Sequence, residues 1–338
     1  MIEPVDIPPV AGPAGASPPR RPGSVRRTSS IDMRWPGGWG TQLRLSGRAR
    51  DLLTPAGGGA PRVLAEDVLR AGVAPDRTIE EISSEPTRPG IGRLVGARGG
   101  GRLRAALAEV VPEELAAGTP LYLLLDDIAG STLIAGFAYS QWHPEWLKAA
   151  AGQAASARRR MEGVCTGFQP GSSALDEHGL SRPVHRTRTV LPLPRVGDPD
   201  GWHDLEDIGE VSMRRARRID VHPGEPGTYA VDAMFQDSAT KPGGGRAAVH
   251  EYRLEAIVDA GTWTLTSVVA EPRVLPFQEC PLATRNVAAM IGTPLAEMRT
   301  AVLDRLARTN GCTHLNDALR ALAEVPVLAR ALTAGHGG

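Results

Sequence analysis

The residues with the greatest chemical reach lie in the last third of the chain. Asn310-Gly311-Cys312-Thr313-His314 precedes an apolar period over 318–332, so a thiol and an imidazole stand two residues apart at a predicted helix start. There the unpaired backbone N–H groups and the macrodipole favour a thiolate. Cys280 has the same setting, because Pro281 suits the first turn of a helix predicted over 282–291. His250 and Glu251 fall in a predicted hairpin, whose ladder would fix them in place. One strand and two helix starts converging on a point would let His250, Cys280 and Cys312 ligate one metal, zinc or else iron. Glu251 or His314 would then complete the shell or move a proton on a bound water. A metal-free alternative keeps Cys280 or Cys312 as nucleophile with a histidine base. In a third reading the thiols are inert buried small hydrophobes.

Composition narrows the classes. The chain has 338 residues, 41% hydrophobic positions and a formal net charge of zero, which leaves room for two soluble domains. Zero charge argues against nucleic acid or an anionic membrane as an obligatory partner. The most apolar run, 121–139, carries Asp126 and Asp127 in its middle and is a poor membrane span. The N-terminus lacks the basic-then-apolar order of a secretory signal. Three widely spaced cysteines make no disulfide framework and suit a reducing cytoplasm. Abundant Ala, Arg, Gly and Pro point to a GC-rich bacterial genome.

Two sets of elements must position these groups. Residues 1–23 are rich in Pro, Gly and Ala without an apolar period and read as a disordered tail. The first unit, 24–145, reads as strands at 24–35 and 42–53, a hairpin over 62–70 and 76–83, then helices at 94–110 and 121–139. A helix at 149–160 and a Gly/Ser/Pro-rich linker at 163–181 containing Cys165 occupy 146–183. The second unit, 184–332, repeats the order: strands at 185–193 and 229–238, a hairpin over 248–259 and 262–270, then helices at 282–291 and 294–307 and the one opened by Cys312.

A shift of 186 residues superposes 43–86 on 229–272 without a gap. Asp51 falls on Asp237, Gly57-Gly58-Gly59 on Gly243-Gly244-Gly245, and Glu85-Pro86 on Glu271-Pro272. A constant register through strand, turn and hairpin implies an internal duplication: an α+β chain of two units, each an antiparallel sheet followed by helices. The units differ where chemistry would sit. Leu64 stands opposite His250, Ala65 opposite Glu251, and Thr119 and Leu121 opposite Cys312 and His314. The first unit is therefore a degenerate copy.

Other motifs are weaker. His185-Arg186-Thr187-Arg188 would bind an anionic substrate or simply face solvent. Arg214-Arg215-Ala216-Arg217-Arg218 falls in an insertion, 195–226, absent from the first copy, and reads as a solvated helix or loop; Trp202-His203-Asp204 in the same insertion reads as a lid. Residues 97–102 are glycine-rich but lack the order of a phosphate loop.

His250-Glu251, the run Pro276-Phe277-x-x-Cys280-Pro281, Gly292 and Gly311-Cys312-Thr313-His314-Leu315 together resemble the signature of a bacterial family known as domain of unknown function 2889. The resemblance covers about 185–330 and brings no activity with it. This chain has Glu251 where that signature implies Asp, and its long N-terminal half resembles an actinobacterial long form. A fold-level similarity to NifU-type iron–sulfur scaffold proteins places His250 and Glu251, then Cys280, then Cys312 around zinc or a cluster, but the scaffold's first cysteine has no counterpart here. That departure favours zinc or a mononuclear metal. The expected function is an enzyme, zinc-dependent or Cys/His-based, acting on a small carboxylated or CoA-linked molecule. A metal- or sulfur-handling accessory protein and a non-catalytic interaction protein are the alternatives.

Overall fold

The computed structural model describes residues 6–143, 145–146, 160–182 and 185–334. The helix expected at 149–160 lies outside them, apart from Arg160. The described strands are β1 (Ser24–Arg34), β2 (Leu43–Thr54), β3 (Arg62–Val73), β4 (Ile79–Glu85), β5 (Arg188–Val190), β6 (Ser212–Pro223), β7 (Thr228–Thr240), β8 (Arg246–Asp259) and β9 (Leu265–Val274). All pair antiparallel in one sheet, in the order β4-β3-β2-β1-β6-β7-β8, with β9 and the short β5 both on β8. The helices are α1 (Leu103–Val110), α2 (Pro112–Ala117), α3 (Pro120–Ile134), α4 (Phe137–Trp142), α5 (Met298–Arg305), α6 (Thr313–Arg320) and α7 (Val325–Ala334). The class is α+β. No described helix is long and apolar enough to cross a membrane.

The strands do not form two sheets packed on one another; β1 and β6 join them edge to edge. This join corrects the reading of 214–218. The arginine run is neither helix nor loop but the middle of β6, buried throughout. The strand expected over 185–193 shrinks to β5. Arginines so placed must be neutralised, since each buried ion left unpaired costs several kcal/mol. On the helical face Arg27 donates to Asp51 (2.6 Å) and Glu324 (2.7 Å), and Arg217 to Asp127 (2.6 Å). On the opposite face Arg26 pairs with Asp220 (2.6 Å) and Arg214 with Asp32 (2.7 Å). Period-two alternation is intact; a guanidinium simply stands where an apolar side chain is the usual occupant.

Helices cover one face. Asp126 and Asp127, in the buried heart of α3, are ion-pair acceptors. Burial alone would raise the Asp126 carboxyl, but Arg320, Arg299 and Arg104 hold it down at about 2. Two apolar cores lie side by side, and each borrows from the other half: Val25, Leu53 and Leu123 join that of the second, Met213, Ala239 and Val249 that of the first. Residues 6–23 have neither helix nor strand. They run as a strap fixed by Ala11 N–H to Pro272 O (3.0 Å), Ala14 N–H to Glu251 (2.6 Å) and Trp202 Nε1–H to Ser17 (2.6 Å). Trp202 and His203 are buried against the sheet rather than forming a lid; His203 contacts Thr28 and Ser30 at 2.8 Å, and burial pushes its imidazole down to about 3.

Candidate functional site

Three elements of the second half bring a carboxylate and two imidazoles together. Asp237 comes from β7, at a register shift between Asp237 and Ser238 that re-aims the side chain. His250 comes from the facing position on β8, and His314 from the first turn of α6. His250 Nδ1 lies 3.4 Å, and His314 Nε2 3.6 Å, from Asp237 Oδ2. The His250 contact is poorly aligned and the His314 contact is longer than a hydrogen bond, so both buried ring nitrogens face the Asp237 carboxylate without a well-formed hydrogen bond. Among the described residues this is the only group of three His, Cys, Asp or Glu side chains whose ligand atoms all lie within 4.8 Å of one another.

The two rings stack, with centroids 3.4 Å apart and planes at 17°. Like charges at that distance in a dry site are excluded, so at least one ring is neutral. Burial pushes both imidazoles down, His314 well below its ordinary value with His250 adding to the effect; for His250 the pull of Asp237 offsets part of it. Asp237 is fully buried. Burial works to raise its carboxyl, but Arg215, donating from Nε (2.9 Å) and Nη2 (3.1 Å), and the histidines hold it well below the usual range. Arg215 also reaches Asp317 (3.1 Å) and Asp127 (3.5 Å). Gly130 of α3 gives it room, since a methyl group there would overlap the guanidinium.

The expected set is therefore divided. His250 and His314 meet, and Cys312 stands next to them with Sγ 3.9 Å from His314 Nδ1. Cys280 and Glu251 do not join them. Glu251 is one residue from His250 on a strand and so faces the other side of the sheet, where it accepts from Ala14 N–H and Gln236 Nε2 (2.9 Å). Cys280 opens 3₁₀ turns, Cys280–Met290, rather than an α-helix. It lies in a pocket of sulfur with Cys165 and Cys312 beside Tyr252, whose buried hydroxyl has no hydrogen-bond partner of normal geometry. Burial raises all three thiols, Cys165 to about 12 and Cys280 well above its ordinary value; at Cys312 the N–H groups of Leu315 and His314 oppose the rise without reversing it. Helix-start activation thus loses to desolvation. The three thiols are free of disulfides.

Sequence reasoning passed over Asp237 and Cys165. The sequence signal for Asp237 is that it falls opposite Asp51 in the 186-residue register. Cys165 sits in what reads as a linker, yet Thr166 N–H donates to Gly311 O (2.9 Å) and docks that segment against the start of α6.

Residues 213–328 match the family described as Protein of unknown function (DUF2889). The matched segment holds Asp237, His250, Cys280, Cys312, His314 and Arg215, so the whole cluster falls inside the DUF2889 region, whereas β1 to β5 and Cys165 lie outside it. No curated protein and no solved structure matches the chain.

Proposed function

We propose that the protein is a metal-dependent enzyme acting on a small molecule, with its centre at Asp237, His250 and His314. The observation that carries this is the convergence of three ligand atoms, two of them buried imidazole nitrogens without a well-formed hydrogen bond. Ligands about 2.0–2.2 Å from a tetrahedral ion stand about 3.3–3.6 Å from one another, the spacing of Asp237 Oδ2 from His250 Nδ1 and His314 Nε2 (3.4 and 3.6 Å). Neutral imidazoles and an ionised carboxylate are the ligating forms, and burial and Arg215 favour both. Asp237, locked by Arg215, and His250, locked by the ladder, would hold the ion together with His314, and an ion so held would act as a Lewis acid or lower the pKa of a bound water to about 7. Zinc and iron both suit two histidines and one carboxylate. Metal analysis of protein purified without chelators tests the centre. We expect about one zinc or iron per chain in the wild type and its loss in His250→Ala and His314→Ala; equal content in all three would dismiss it.

A second reading rests on the 3.9 Å approach of Cys312 Sγ to His314 Nδ1. Cys312, His314 and Asp237 line up as thiol, base and orienting acid. That arrangement holds no metal and makes Cys312→Ser inactive, whereas the metal centre keeps its metal and its activity in that variant. The three unpaired thiols fit a cytoplasmic location.

We also propose that the chain arose by internal duplication. The sheet supports it: Arg27–Asp51 and Arg215–Asp237 occupy corresponding positions, and a register shift follows each aspartate. The first half keeps the Arg–Asp pair without the histidines.

A further inference from the structure

The edge of the sheet carries an open groove of about 470 Å³, within the range of small-molecule sites. Its walls are the strap at residues 7–12, Arg186 and Arg188 at the start of β5, Arg273 near the end of β9, and Phe277. The charge here is one-sided although the chain as a whole is neutral. Among the described residues no carboxylate lies within ion-pair distance of Arg186 or Arg188; Arg188 donates only to the neighbouring Thr187 O, at 3.3 Å. Arg273 pairs with Glu271 (2.7 Å), yet its Nε is buried without a partner. Glu251, the other carboxylate near Arg273, is taken up by Ala14 and Gln236. Phe277 stacks edge-on against His185 (5.5 Å), whose Nδ1 is buried and unpartnered and whose imidazole lies close enough to feel His250.

We propose that Arg186, Arg188 and Arg273 bind the anionic group of the substrate, a carboxylate or a phosphate. Guanidinium forks match both oxyanions bidentately. This rests on the reading of Asp237, His250 and His314 as the centre, and it adds the chemical class of what that centre acts on.

The test uses the full chain, with inorganic pyrophosphate and succinate as separate probes in calorimetric titrations at fixed ionic strength. Wild type, R186Q/R188Q, R188E and H314A are compared. Saturable 1:1 binding of one probe is expected, at least tenfold weaker in R186Q/R188Q and weaker still in R188E, and unchanged in H314A. Arg186 and Arg188 are exposed, so their variants keep the wild-type melting temperature and metal content. Which probe binds tells phosphate from carboxylate. Absence of saturable binding of either probe, or equal affinity in wild type and R186Q/R188Q, overturns the proposal. Failure of the centre reads separately: H314A would then keep its metal while the groove still bound the anion.

Discussion

The stacked pair His250 and His314 shows how strongly burial controls this site. Both imidazoles, and His185 at about 4, are pushed down mainly by desolvation. In the unfolded chain each titrates near 6.5, so below that pH the unfolded state binds more protons and gains on the native one. The stability these groups contribute is therefore complete above pH 6.5 and is lost as pH falls from 6.5 toward 4. For His185 alone, burial that lowers its pKa to about 4 corresponds to a loss of about 3 kcal/mol. Urea melts at pH 7.5 and pH 5 should show a clear drop, smaller in a His185→Asn variant; a flat profile would mean that these rings are solvated. Arg215 is the second residue on which the site depends. Arg215→Met leaves Asp237, Asp127 and Asp317 without their shared cation, and breaking one buried pair from one side costs about 3–5 kcal/mol. A loss below about 1 kcal/mol in the same melts would show that water already reaches these carboxylates.

At the scale of elements, much of the sheet could be read from alternation alone, and the 186-residue register aligned β2 to β4 with β7 to β9 before any coordinates. The central strand β6 was not legible. Five consecutive residues with four arginines look solvated unless their acids are known, and for three of the arginines those acids are Asp32, Asp127, Asp237 and Asp317, well separated in the sequence; Arg218 alone has a near one, Asp220. The meeting of His250 with His314 was anticipated through the hairpin and the Cys312 helix start. Glu251, expected beside His250, is excluded, since neighbours on a strand face opposite sides. What could not be read was the 3₁₀ character of Cys280–Met290, because its apolar spacing also suits an α-helix. α3 provides the element-scale prediction. Gly130→Ala places a methyl group in the Arg215 guanidinium, so it should destabilise by about 1–3 kcal/mol and disturb Asp237. A Gly130→Ala variant more stable than wild type, as helix propensity alone would suggest, would contradict that packing.

The whole molecule behaves as one body across the β1–β6 seam. Arg26 of the first half is neutralised by Asp220, Arg27 by Glu324, and residues of each half complete the core of the other. Residues 24–146 produced alone would expose β1 as a long sheet edge and strand its arginines. We expect that fragment to lack a cooperative thermal transition in circular dichroism; a sharp, reversible melt would show the halves to be independent. The absence of histidine opposite His250 and His314 in the first half then makes sense, because one scaffold half serves the site on the other.

The central claim is that Asp237, His250 and His314, without the thiols, hold one metal ion. Titration of chelator-treated protein with Co2+ tests it most directly, because cobalt reports its ligands in its absorption spectrum. Saturation at one equivalent is expected, with visible d–d bands, no thiolate-to-cobalt charge transfer, and an unchanged spectrum in Cys280→Ser. Strong charge-transfer absorption that disappears in Cys280→Ser or Cys312→Ser, or no saturable binding, would contradict it.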